Sequence, residues 1–148
     1  MKRQIEELMR KVEVLSKGLG CAITKDDYYI EDLGCPHKWP KNLPTGYAAV
    51  YFFFENAKSL KIGKANDKSK ARFTSQHYRV NSTKSTLAKS LLNDKQYGFN
   101  NAEEVKDWLL QKTQRINILV KVGKGKAATE LIEAVMHYHF RPKYEGAL

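Results

Sequence analysis

No apolar run in this chain approaches the ~20 residues needed to cross a bilayer, so a helical membrane span is not expected. The opening segment, Met1-Lys2-Arg3-Gln4-Ile5-Glu6-Glu7, lacks the apolar centre of a signal peptide. Cysteine is scarce. Cys21 and Cys35 are the only two, which fits a reducing compartment. Cys35-Pro36-His37 sets a thiol beside an imidazole, but structural zinc takes four ligands in paired clusters, and only Cys21 lies nearby. Two free thiols are the better reading. There is no internal repeat and no low-complexity segment. These absences predict a soluble, intracellular protein of the cytoplasm.

Acidic residues are the minority charge. Against 26 Lys and Arg stand 16 Asp and Glu, a formal net charge of +10. Such an excess favours a polyanionic partner, because neutralising phosphates releases their condensed counterions. The cations are densest over 58–72 and 121–126. The length of 148 residues suits one domain with a proper core, and 42% hydrophobic residues are enough to fill it.

Ile5, Leu8, Met9, Val12 and Leu15 recur at helical spacing and predict an amphipathic helix over 2–16, ended by Gly18 and Gly20. The glycines and prolines of 31–46 predict a loop, separating this N-terminal extension from a second unit over 47–145. Within that unit Tyr47 to Phe54 is a strong strand signal, and a short turn joins it to Ser59–Gly63, giving an antiparallel hairpin. Alternation puts Tyr51 and Lys61 on one face of it. A helix is expected over 67–79, with Arg72, Gln76 and Arg79 on one stripe. Ser82 or Thr83 caps the next helix, and Asn101 with Glu104 starts another. Ile116–Val122 alternates as a third strand. A last helix over 127–140 carries Leu131, Ile132, Val135 and Met136 inward, and Arg141-Pro142 ends it. The sum is an α+β fold, with a small antiparallel or mixed sheet of about three strands flanked by helices and a helical insert at about 80–115.

The order of Ala49-Val50-Tyr51, Lys61-Ile62-Gly63, Arg72 and Glu133 resembles the GIY-YIG nuclease superfamily. Arg72 follows Gly63 by nine residues. Glu133 precedes Pro142 by nine, within a Glu, apolar helix, basic-Pro-basic-aromatic ending. The resemblance covers 47–145. Lys61 in place of the second motif's tyrosine is similar to a restriction-endonuclease branch. Ala49 replaces the first glycine, Gln76 stands where the family carries His or Tyr, and Glu145 replaces a terminal Asn. On an ideal helix His77 lies about 140° round from Arg72, so its participation requires a local distortion.

What the resemblance implies is metal-dependent hydrolysis of phosphodiester bonds in DNA. The residue chemistry agrees: Glu133 can hold Mg²⁺ or Mn²⁺, and Arg72 can clamp phosphate oxygens. Tyr51 can act as general base if nearby positive charge lowers its pKa, or Lys61 can take the proton itself. His77 joins this catalytic set, while Lys64, Lys68, Lys70 and Arg79 are the expected nucleic-acid contacts. His137, one turn from Glu133, reads as a core-edge histidine. Cutting both strands calls for a homodimer or sequential nicking. The alternatives are a nucleic-acid-binding module without cleavage, a repair or RNA-directed nicking enzyme, and a partner-binding protein using its first helix.

Overall fold

Ile5, Leu8, Met9 and Val12 lie buried along helix α1 (Lys2–Gly18) in a computed structural model that describes residues 1–83 and 86–145. Leu15, expected on the same stripe, is exposed, and Ser16 is buried instead. The Ser16 hydroxyl donates to the Glu13 carbonyl and accepts from the Ile23 amide, tying down the chain as it leaves the helix.

The first strand, β1 (Tyr28–Gly34), begins before the region expected to be loop and claims residues 31–34 from it. Glu31 and Asp32 hide it in the sequence, but an edge strand tolerates charge. The hairpin forms as expected from β2 (Tyr47–Glu55) and β3 (Lys58–Ala65). Asn56 and Ala57 both take positive φ, 46° and 66°, matching the two-residue turn that suits the twist of paired strands. β4 (Gln114–Lys121) completes an antiparallel sheet of four strands in the order β1-β4-β2-β3. The chain is thus α+β.

Period-two alternation along β2 sends its side chains into two cores. Val50, Phe52 and Phe54 meet α1 and the last helix, α5 (Lys126–Phe140). Ala49, Tyr51 and Phe53 face the opposite layer. That layer contains α2 (Lys70–Thr74), α3 (Leu87–Asn93) and α4 (Ala102–Lys112). The cap of α3 is Thr86, whose hydroxyl accepts from the Lys89 amide. It is not Ser82, whose hydroxyl bonds the Gln76 carbonyl instead. Asn101 caps α4 as expected, by accepting from the Glu104 amide. Arg141, with a left-handed φ of 45°, ends α5. Lys143 and Tyr144 then donate their amides to the Ser59 and Leu60 carbonyls at 3.0 and 2.9 Å, pinning the tail along the start of edge strand β3. Among the described residues no helix is long and apolar enough to cross a membrane.

Candidate active site

The register of the hairpin decides what lies beside Tyr51. Tyr51 faces Gly63, and Lys61 faces Phe53, so Tyr51 and Lys61 share a face but stand on a diagonal, not as a directly opposed pair. The Tyr51 ring lies over Gly63: a Cβ at position 63 would fall 2.6 Å from the ring's Cζ. The glycine of the second motif is therefore the space in which Tyr51 rests.

The expected helix over 67–79 is broken into three pieces. A 3-10 turn over Asp67–Ser69 leads into α2, and a second 3-10 turn spans Gln76–Tyr78. Between them Ser75 takes φ −123° and ψ −18°, outside the helical region. The break turns His77 and Tyr78 inward together, and both are buried. His77 reaches the Tyr51 hydroxyl with Nε2 at 2.7 Å. Its other nitrogen, Nδ1, accepts from the Leu87 amide at 3.2 Å. A nitrogen that accepts an N–H carries no proton of its own, so the proton sits on Nε2, and His77 donates to Tyr51. Burial lowers the His77 pKa to about 3, helped by the charges of Lys61, Arg115 and Arg72, and the ring is neutral around pH 7. Gln76 stays nearer the surface and lines the cleft.

Burial pushes the Tyr51 phenol pKa well up, while the charges of Arg72 and Arg115 pull against it and Glu133 adds to it. Burial lowers the Lys61 pKa, as does Arg72, with Glu133 and Glu145 opposing. Arg115 played no part in the reading of the sequence. Its signal was available: alternation along β4 puts it in register with Asn117 and Leu119, on the inward side of a buried strand.

Glu133 projects from α5 on the other side of β3. Its Oε2 accepts from the Lys64 ammonium at 2.6 Å, because Lys64 alternates to the face opposite Lys61 and Gly63. His137 hydrogen-bonds the Ile62 carbonyl through Nε2 at 3.2 Å, a core-edge role. The two faces meet at the edge of β3 in a cleft of about 520 Å³, whose lining includes Tyr51, Lys61, Arg72, His77 and Glu133. The whole expected catalytic set is thereby brought together. Three cations, Lys61, Lys64 and Arg72, face one carboxylate, Glu133, across it, an excess suited to an anion.

The remaining expected contacts divide. Lys68 and Lys70 are exposed beside the cleft's α2 wall. Arg79 lies with its guanidinium 5.8 Å from the centre of the Trp39 ring. The two cysteines are exposed free thiols. Both His37 nitrogens are taken, by the Thr113 carbonyl and the Tyr78 hydroxyl, each at 2.8 Å. Comparison with family models, curated proteins and solved structures returned no match.

Proposed function

We propose that the chain is a metal-dependent endonuclease that hydrolyses phosphodiester bonds in DNA, as its resemblance to the GIY-YIG nucleases implies. One observation carries this reading. Tyr51, Lys61, Arg72, His77 and Glu133 come from five separate segments, yet all line one basic cleft. In this reading Arg72 grips the phosphate oxygens as charge develops. Tyr51 passes its proton to Lys61 and, as the phenolate, takes one from the attacking water; burial shifts Lys61 toward the amine that such a transfer needs. The Nε2–H of His77 holds the charge that forms on the Tyr51 oxygen.

Glu133 fits a hard divalent cation. Its side chain is 20% exposed, and the Lys64 ammonium already places a positive charge 2.6 Å from Oε2. Among the described residues no three His, Cys, Asp or Glu gather, so Mg²⁺ or Mn²⁺ held by Glu133 would complete its shell with water and phosphate oxygens. Bound there, it would polarise a phosphoryl oxygen and offset developing charge.

Digestion of supercoiled plasmid with Mg²⁺, followed by mapping of the cut ends, tests the reading. Cleavage is expected in the parent and lost in Glu133→Ala. Full activity in both Tyr51→Phe and Lys61→Ala would rule out the proton path. The Lys64–Glu133 pair supports a second reading, a nucleic-acid-binding module in which the lysine permanently occupies the carboxylate. Tight DNA binding without cleavage at any Mg²⁺ or Mn²⁺ concentration would select that one.

A further inference from the structure

Arg115 is fully buried, an uncommon position for a group that keeps its charge at any working pH. Among the described residues it has no carboxylate partner of its own. Its guanidinium carbon lies 5.4 Å from the centre of the Tyr51 ring, and 5.0, 5.1 and 5.7 Å from those of Phe73, Phe53 and Tyr78. Four aromatic rings enclose one cation. Each of its three nitrogens donates one hydrogen bond: Nε to Asn117 Oδ1 at 3.1 Å, Nη1 to the Tyr78 hydroxyl at 3.0 Å, and Nη2 to the Phe73 carbonyl.

The chain of hydrogen bonds continues in both directions with every proton assigned by its partners. His37 Nδ1 donates to the Thr113 carbonyl, leaving Nε2 to accept from the Tyr78 hydroxyl. Tyr78 is thus free to accept from Arg115. On the other side the Asn117 amide nitrogen donates to Glu31 at 2.9 Å, on edge strand β1. The nearest carboxylate in this network is therefore one side chain removed from the guanidinium. Burying an arginine is costly, and nearby alternatives such as leucine or methionine would fill a strand position more cheaply. The arrangement makes sense if the charge itself is used, and of the four rings around it Tyr51 lines the cleft.

We propose that Arg115 is a positioning residue for Tyr51, a fixed cation sealed behind the ring that stabilises the phenolate from the side opposite the substrate. The inference rests on the nuclease reading for its purpose, but not for its test. Tyr51 also meets the charges of Arg72 from α2 and Glu133 from α5, and the neutral donor His77 from the 3-10 turn. Of these charges Arg115 alone is closed off from solvent, so salt and bound phosphate screen it least.

The test places a fluorinated tyrosine at position 51, whose more acidic phenol titrates in an accessible range, and follows its ionisation by ¹⁹F NMR in the full chain. Arg115→Met is expected to raise that midpoint by about one unit or more, and Arg115→Lys to restore part of the shift. Glu31→Gln, which removes the carboxylate opposing Arg115 without touching the core, is expected to lower it by a fraction of a unit. If Arg115→Met does not fold, the direction of the Glu31→Gln shift decides. A midpoint unmoved, or moved upward, in Glu31→Gln overturns the inference, as does one unmoved in a folded Arg115→Met. Shifts in the expected directions in a protein that cuts no DNA would retain Arg115's role and remove the nuclease reading.

Discussion

The Tyr51 hydroxyl and His77 Nε2 stand 2.7 Å apart, with the proton on the histidine. The Leu87 amide fixes that polarity, so His77 does not accept the Tyr51 proton. It steadies the oxygen and leaves the phenolic proton for another acceptor. Tyr51→Phe is expected to lower the cleavage rate by about 10²- to 10⁴-fold, the range for loss of a positioned proton-transfer group. His77→Gln, whose amide N–H can replace the lost donor, is expected to keep more activity than His77→Ala. Single-turnover cleavage of a labelled duplex measures both, and equal rates for the two His77 variants would remove the donor role.

The same histidine makes stability depend on pH. Its folded pKa is lowered to about 3 by burial first, then by Lys61, Arg115 and Arg72, against about 6.5 in the unfolded chain. Between these values the unfolded state binds more protons, so its contribution is complete above about pH 6.5 and is lost as pH falls toward 3. By about pH 5 the loss amounts to roughly 2 kcal/mol. Burial also lowers the pKa of His37, which adds a loss of the same sign. Urea midpoints at pH 7 and 5 should therefore differ more for the parent than for His77→Gln. An equal difference in both would contradict the assignment.

Gly63 and Tyr51 are coupled by space. A methyl group at 63 meets the Tyr51 ring, not open solvent, so Gly63→Ala is expected to destabilise by about 1–3 kcal/mol through overpacking. In a Tyr51→Leu background the obstruction is gone, and the same substitution should cost much less. A double-mutant cycle by chemical denaturation gives the coupling directly. Additive effects would mean that Tyr51 relaxes away from Gly63 at no cost.

The sequence made these partners unequally visible. Tyr51 and Lys61 were legible because alternation along a short hairpin leaves little freedom, and Glu133 because it interrupts an apolar helical stripe. His77 was legible only on condition of a local distortion, since an ideal helix would carry it away from Arg72, and the break at Ser75 supplies that distortion. That break depends on burying His77 and Tyr78 against the sheet, a tertiary effect that local propensity does not encode. The role of Gly63 required the strand register. β1 was hidden by Glu31 and Asp32, and Arg115 by lying just before the apolar alternation that starts at Ile116. Ala49, where the GIY-YIG nucleases that the chain resembles carry glycine, is buried opposite Ala65, so the methyl is accommodated.

In the proposed reading Lys64 and a divalent cation would compete for Glu133. The pair is partly exposed, at 36% and 20% of the two side chains, and exposed ion pairs hold only about 0–1 kcal/mol. Lys64→Met should therefore tighten Mn²⁺ binding by no more than about fivefold, read by the paramagnetic relaxation of water protons without any substrate. Glu133→Gln should abolish that binding. Unchanged Mn²⁺ affinity in Lys64→Met would separate the lysine from the metal site.

If the chain binds DNA as proposed, salt dependence will distinguish the cations that touch phosphate from those that serve the fold. Lys68 and Lys70 are exposed beside the α2 wall of the cleft, and each is expected to contribute about one released counterion on binding DNA. Lys68→Ala and Lys70→Ala should each reduce the slope of log K against log salt by about 1, with little change in stability. Arg79 is exposed but stacked on Trp39, so Arg79→Ala should alter the slope less and cost some packing. Glu133→Ala, used as the binding-competent parent, keeps the measurement free of cleavage. Slopes that do not respond to Lys68 or Lys70 would move the DNA path away from α2 and toward the opposite wall of the cleft, where Lys64 lies against α5.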